Sequence, residues 1–203
     1  MQPVQQSLAF ETVELPVKII RRYLTEKQRQ LLLDEAESYP YSSPQIEVYG
    51  KLHRIPRRQV WLADRGCDYR YSKQIITASP WFHYVAWLKE QLNSEFGQSY
   101  NGVLVNHYAD GTEHMGWHSD DEPEIVSNSD IASVSLGDSR DFVLKHKTTH
   151  QKHLITLECG DLLIMPAGMQ SDWLHALPKR LKSKRARFNF TFRQIIPNYH
   201  KKI

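Results

Sequence analysis

His118 and Asp120 stand two residues apart in Gly116-Trp117-His118-Ser119-Asp120-Asp121-Glu122. On extended backbone such a pair leaves the same face, so an imidazole and a carboxylate are presented together. They supply two thirds of a 2-His-1-carboxylate facial triad, the site type of non-haem Fe(II) oxygenases. The third ligand must be a distant histidine, and His175, in Asp172-Trp173-Leu174-His175-Ala176-Leu177-Pro178, is the candidate. Ten histidines compete for these roles. His107 lies between Asn106 and Tyr108, so on a strand it should face the opposite way. His114 sits in the Gly111–Gly116 turn. His146, His150 and His153 crowd a hairpin rich in Lys145, Lys147 and Lys152, suited to solvent, phosphate or adventitious metal. A His-x-Asp pair alone is common. The far end of the chain gives it weight: Arg187-Phe188-Asn189-Phe190-Thr191-Phe192-Arg193 alternates strictly and reads as a strand. One face carries Arg187, Asn189, Thr191 and Arg193, and the other three phenylalanines. Two arginines on an inward wall suit the grip of a dicarboxylate.

The elements that must position these groups are legible as patterns. Val13, Leu15 and Val17 alternate and predict a short strand. Thr25 with Gln28 forms a capping box, and Leu24, Leu31, Leu32 and Ala36 predict a helix that ends at Tyr39-Pro40. Pro44–Lys51 and Arg57–Leu62 read as two strands joined by a basic turn, with Tyr49-Gly50 at a hairpin tip. Ser79 as N-cap and Pro80 at the first helical position open a second helix. Trp81, Val85, Leu88, Leu92 and Phe96 form its buried stripe, and Gly97 ends it. Predicted strands follow at Val103–Tyr108, Ile131–Leu136, Asp141–His146, His153–Glu158, Asp161–Met165, Trp173–Leu177 and Arg185–Arg193. Short strands separated by turns suggest a sandwich or jelly roll.

The chain has 203 residues, enough for one domain with a substantial core. With 40% hydrophobic and 24% charged residues it has the composition of a soluble globular protein. No apolar run approaches the ~18 residues of a membrane span, and the start carries no signal-peptide pattern. Two cysteines, Cys67 and Cys159, lack metal-ligand spacing, and a reducing, cytoplasmic setting is the simplest expectation. The net charge of +3 does not by itself imply nucleic acid. Its distribution says more: Lys51, His53, Arg54, Arg57 and Arg58 cluster early, and Lys179, Arg180, Lys182, Lys184 and Arg185 late. Each cluster fits either a solvated face or phosphate binding.

His118-x-Asp120, His175 and Arg187-x-Asn189-x-Thr191-x-Arg193, preceded by Asn106-x-Tyr108, resemble the AlkB-type Fe(II)/2-oxoglutarate dioxygenases, closest to the branch that repairs alkylated duplex DNA. The resemblance runs from about Pro44 to Ile196. It implies a mainly β fold with flanking helices (α+β), namely a double-stranded β-helix (jelly-roll) core with an N-terminal nucleotide-recognition lid. Within a single domain of residues 1–203 the expected parts are an arm and helix (1–43), the lid (44–78), a supporting helix (79–97) and the catalytic core (98–196). It implies Fe(II) held by His118, Asp120 and His175. It places the cosubstrates 2-oxoglutarate and O2 beside the metal, with Asn106, Tyr108, Arg187, Thr191 and Arg193 around the 2-oxoglutarate. Val48-Tyr49-Gly50-Lys51 resembles a finger that enters the base stack and fills the gap left by a flipped base. Tyr69 and Tyr71 belong to the lid over that base, and Arg57 or Arg70 to phosphate contacts. Asp121 and Glu122 offer an acid toward a cationic base, or else face solvent or the basic lid. The implied reaction is oxidative demethylation of 1-methyladenine and 3-methylcytosine, with release of formaldehyde, succinate and CO2. The implied partner is DNA, as a duplex with a flipped alkylated base; a monomer, cytoplasmic or nuclear by source, is expected. The same chemistry on RNA or a protein side chain, and a non-catalytic nucleic-acid-binding module, are the rival readings.

Overall fold

The computed structural model describes residues 15–48, 50–71 and 74–201. In chain order the strands are β1 (Lys18–Ile20), β2 (Gln45–Val48), β3 (Lys51–Arg54), β4 (Arg58–Ala63), β5 (Tyr69–Tyr71), β6 (Gln74–Ile76), β7 (Gly102–Tyr108), β8 (Met115–His118), β9 (Ile131–Gly137), β10 (Arg140–His146), β11 (Lys152–Leu157), β12 (Leu162–Met165), β13 (Trp173–Leu177) and β14 (Arg187–Arg193). The helices are α1 (Glu26–Ala36), α2 (His83–Phe96) and the short α3 (Met169–Asp172).

Two sheets face each other. The major sheet runs β1-β12-β9-β14-β7-β4 and the minor sheet β11-β10-β13-β8. All named pairings are antiparallel, and β14 lies between β7 and β9, bonded to both. Side chains alternate across each strand, so the major sheet serves two cores. Val60, Leu62, Val103, Val105, Ala132, Val134, Leu136, Phe188, Phe190 and Phe192 turn outward onto Leu24, Leu32 and Ala36 of the α1 region and Val85, Leu88 and Leu92 of α2. Ile131, Leu163 and Met165 turn inward and meet Phe142, Leu144, Ile155, Leu157 and Trp173 of the minor sheet. Of the inner positions left over, Leu104 joins Trp61, Tyr69 and Ile195 in a third apolar cluster, and most of the rest on β7, β9 and β14 are polar. That is where a site can form.

Local chemistry explains the boundaries. The capping box at Thr25 and Gln28 is formed, and Gly97 closes α2 at φ 62°. Helix α2 starts at His83, not at Ser79-Pro80 as the sequence predicts. Ser79 is committed to the sheet: its N–H donates to Trp61 O at 3.0 Å and its carbonyl accepts from Ala63 N–H at 3.1 Å. The helix is capped from outside, because the Glu35 carboxylate on α1 accepts the N–H groups of Tyr84 (2.6 Å) and Val85 (2.9 Å). Two further expectations are corrected. Leu15 and Val17 pack beside the inner core but precede the strand, which begins at Lys18, and Val13 lies outside the described residues. The basic stretch after Gly50 is β3, so β2 pairs with Lys51–Arg54, while β4 pairs with β7 in the major sheet. Gly50, at φ 74°, occupies the turn between β2 and β3, a conformation a side chain disfavours. Cys67 is buried and Cys159 half-buried, both as free thiols.

Candidate metal and cosubstrate site

The two histidines meet because β8 pairs with β13 in a register that sets His118 opposite His175. Their rings lie 4.1 Å apart at 63°. Asp120, just past the end of β8, turns back between them: its Oδ1 is 3.8 Å from His118 Nε2 and its Oδ2 3.9 Å from His175 Nε2. One ligand atom from each of the three lies within 4.8 Å of the others, the one such cluster found among the described residues. Three neighbours hold this geometry. Asp120 N–H donates to Gln170 Oε1 on α3 at 3.0 Å. Ser119 Oγ donates to Trp173 O at 3.0 Å. His118 Nδ1 is 2.9 Å from Gly116 O, so Nδ1 carries the proton and Nε2 keeps its lone pair.

The donor set fits a divalent metal. Burial pushes the His118 and His175 pKa values down, His175 to about 3, so both imidazoles are neutral donors. Burial alone would raise the Asp120 carboxyl, but Arg193 foremost, then His175 and His118, bring it down to about 2. Asp120 Oδ2 and His175 Nδ1 are buried with no hydrogen-bond partner among the described residues. Buried polar atoms without partners are costly unless something else occupies them.

The polar face of β14 completes the wall. Arg193 is buried, and its guanidinium lies 2.8 Å from Asp120 Oδ1 and over the Tyr69 ring at 5.2 Å. Arg187, three repeats of the pleat away, donates through Nη2 to Ser135 Oγ (2.9 Å) and Asn189 Oδ1 (2.8 Å) and lies over the Tyr108 ring at 5.7 Å. Asn189 Nδ2 donates to Thr191 Oγ1 at 2.7 Å. Burial lowers the Arg187 pKa to about 10, which leaves it cationic at neutral pH. His118, His175, Tyr108, Arg187 and Asn189 line one cleft, together with Met115, Phe142, Ala176 and Leu177. The metal-type cluster and the distant cation therefore open on the same space.

The 2OG-Fe(II) oxygenase superfamily profile matches residues 16–193. The chain belongs to that superfamily. Within it, the chain is 38% identical over 176 residues to the DNA oxidative demethylase ALKBH2 of Bos taurus, an alignment that covers 83% of this chain and 63% of the relative. It is 35% identical over 153 residues to the alpha-ketoglutarate-dependent dioxygenase alkB homolog 3 of Rattus norvegicus, covering 70% of this chain and 51% of that one. The chain thus spans less than two thirds of the length of either. The solved structure of OsALKBH1 shares the fold at TM-score 0.60, with 18% identity and 91% and 100% coverage. Membership in a 2OG-Fe(II) oxygenase family agrees with Fe(II) and 2-oxoglutarate as the groups this donor set and arginine wall accept.

The remaining predicted site residues divide. Asn106 is buried and accepts from Arg57 Nε at 2.9 Å. Of the two arginines read as phosphate contacts, Arg57 is buried beside the site and Arg70 is exposed on β5. Tyr69 is likewise buried, stacked on Trp61 at 4.8 Å, with its hydroxyl donating to Glu122. The acidic pair splits, Asp121 to solvent and Glu122 inward. Burial pushes Glu122 up to about 7, helped by Asp120 and opposed by Arg193. Lys51 is exposed on β3 beside Gly50. Tyr49 and the Tyr71 side chain lie outside what is described. Sequence reasoning missed Ser133 and Ser135, whose alternation with Ala132 and Val134 signals a polar inner face. It also missed Gln170, for which no local pattern gives a clue.

Proposed function

We propose that this protein is a DNA repair dioxygenase that oxidatively demethylates 1-methyladenine and 3-methylcytosine. Fe(II), O2 and 2-oxoglutarate are consumed or used, and formaldehyde, succinate and CO2 are released. The observation that carries this reading is the shared cleft of His118, His175 and Arg187, in a chain whose relatives include proteins named DNA oxidative demethylases. His118, Asp120 and His175 would hold the iron, which when bound supplies the oxidation of the N-methyl group.

The chain's own residues orient and enclose. Arg187, with Tyr108, suits the far carboxylate of 2-oxoglutarate, because its fork faces the cleft away from Asp120. Arg193 suits the end nearer the metal, because it already touches Asp120. Thr191 and Asn106 are the hydrogen-bonding neighbours. Residues 44–78 carry the lid on either side of β4, which itself belongs to the major sheet, and Tyr49, Gly50 and Lys51 form the finger that replaces an extruded base, so the partner is duplex DNA with a flipped base, bound by a monomer. We assign Tyr69, Tyr71 and Asp121 to recognition of that base, with Glu122 holding the Tyr69 hydroxyl. A cationic methylated base pairs poorly and so flips cheaply, and an acidic, aromatic pocket favours it. Among the described residues no helix is long and apolar enough to cross a membrane.

The test is formaldehyde release from 1-methyladenine in matched single- and double-stranded oligonucleotides. Wild type should turn over, and His118→Ala should not. Turnover retained by His118→Ala would remove the metal assignment. An equal effect of Tyr49→Ala on both substrates would remove the finger.

A further inference from the structure

The C-terminal segment is built onto the lid. Glu124 is wholly buried at 0% exposure. Its Oε1 accepts the backbone N–H of Arg70 in β5 at 2.6 Å and lies 3.2 Å from His200 Nε2, itself a side chain only 7% exposed. The segment is led there by two backbone bonds, Ile196 N–H to Glu124 O at 2.9 Å and Asn198 N–H to Gly66 O at 2.8 Å. Gly66 permits the approach. It has φ +87°, and a Cβ there would stand 2.8 Å from Asn198 Oδ1.

Two alternate glutamates of one loop thus hold two consecutive residues of β5. Glu122 takes the Tyr69 hydroxyl, and Glu124 takes the Arg70 backbone. The first tie lies in the site. The second is closed by the tail, because a buried carboxylate needs polar company and His200 Nε2 stands 3.2 Å from Glu124 Oε1, within ion-pair reach though without a hydrogen bond. Neither Glu124 nor His200 is among the residues lining the cleft that His118 and Arg187 share.

We propose that Glu124 and His200 are positioning residues for the modified base: the tail seats β5, and with it Tyr69, at the height the base requires. This rests on reading β5 as part of the base-recognition lid. Loosening the pair weakens the hold on the oligonucleotide and leaves the hold on 2-oxoglutarate alone.

The experiment is a KM-against-kcat split on the full chain, read by formaldehyde release from a 1-methyladenine oligonucleotide. His200→Ala should raise the oligonucleotide KM about tenfold, the equivalent of about 1.4 kcal/mol, with the 2-oxoglutarate KM unchanged and the melting temperature lowered, since a buried carboxylate loses its neighbour. His200→Gln, which puts a polar N–H group back beside Glu124, should recover most of the loss. Tyr69→Phe cuts the other tie without touching the tail and should raise the same KM. An unchanged oligonucleotide KM in His200→Ala, while Tyr69→Phe raises it, overturns the role of the tail. An unchanged KM in Tyr69→Phe overturns the lid reading beneath it. A parallel rise in both KM values in His200→Ala, or no rescue by Gln, marks general structural damage and overturns the proposal as well.

Discussion

Replacing Arg187 by Met should separate cosubstrate binding from metal binding. The guanidinium is buried, with Nη2 donating to Ser135 and Asn189 and Nε without a partner among the described residues. The cleft-facing donors are free for a carboxylate. A charge-assisted hydrogen bond of this kind contributes about 1.5–3 kcal/mol. Loss of one to two such bonds comes to about 3 kcal/mol, or roughly a hundredfold rise in the KM for 2-oxoglutarate. Arg187→Lys keeps the charge but loses the fork, so its rise should be smaller. Iron affinity should hold, because Arg187 contacts neither Asp120 nor the histidines. Arg193→Met should behave differently: its guanidinium lies 2.8 Å from Asp120, so iron affinity and 2-oxoglutarate binding should change together. The assay is succinate formation over a range of 2-oxoglutarate, with Fe(II) titrated separately under nitrogen. A KM within about threefold of wild type, or an equal loss of iron binding in Arg187→Met, would refute the division of labour between the two arginines.

Two predictions concern the frame. Glu35→Ala removes the acceptor shared by Tyr84 N–H, Val85 N–H and the Tyr39 hydroxyl. It should cost about 2 kcal/mol, a fall of about 6 °C in melting temperature by calorimetry, with Glu35→Gln intermediate. His107 is stacked on Phe188 and faces Arg58, and burial, then that guanidinium, bring its pKa down to about 4. Between pH 6.5 and 4 the unfolded chain binds a proton there that the native chain does not. The His107 contribution is therefore present above pH 6.5 and is lost as the pH falls toward 4. Urea unfolding across that window should show wild type losing on the order of 2 kcal/mol more than His107→Gln; identical slopes would refute it.

The patterns visible in the chain were those with a short period. Strict alternation at 187–193 located β14 and both of its faces, whereas β8 was not among the predicted strands and Asp120 lies just beyond it. Trp173–Leu177 matches β13 from end to end. What failed was whatever depends on a distant partner. Ser79-Pro80 has the chemistry of a helix start, but its backbone is already bonded to Trp61 and Ala63, and the real cap is Glu35, far along the chain. Arg57 looked like one more surface cation in a basic run. Its burial against Asn106 follows only from the β4–β7 pairing. Gln170 is invisible for the same reason: its task is set by where α3 lands against Asp120.

Strand β14 carries both guanidiniums on one side and three phenylalanines on the other, clamped between β7 and β9. Sliding it by a single residue would drive the cations into hydrocarbon and push the benzene rings toward the cleft beside His118 and His175. Such a mispaired state would lose its packing and its chemistry at once. Packing and the geometry of the polar wall are therefore enforced by one and the same alignment, and a correctly threaded molecule arrives with both guanidiniums already facing inward.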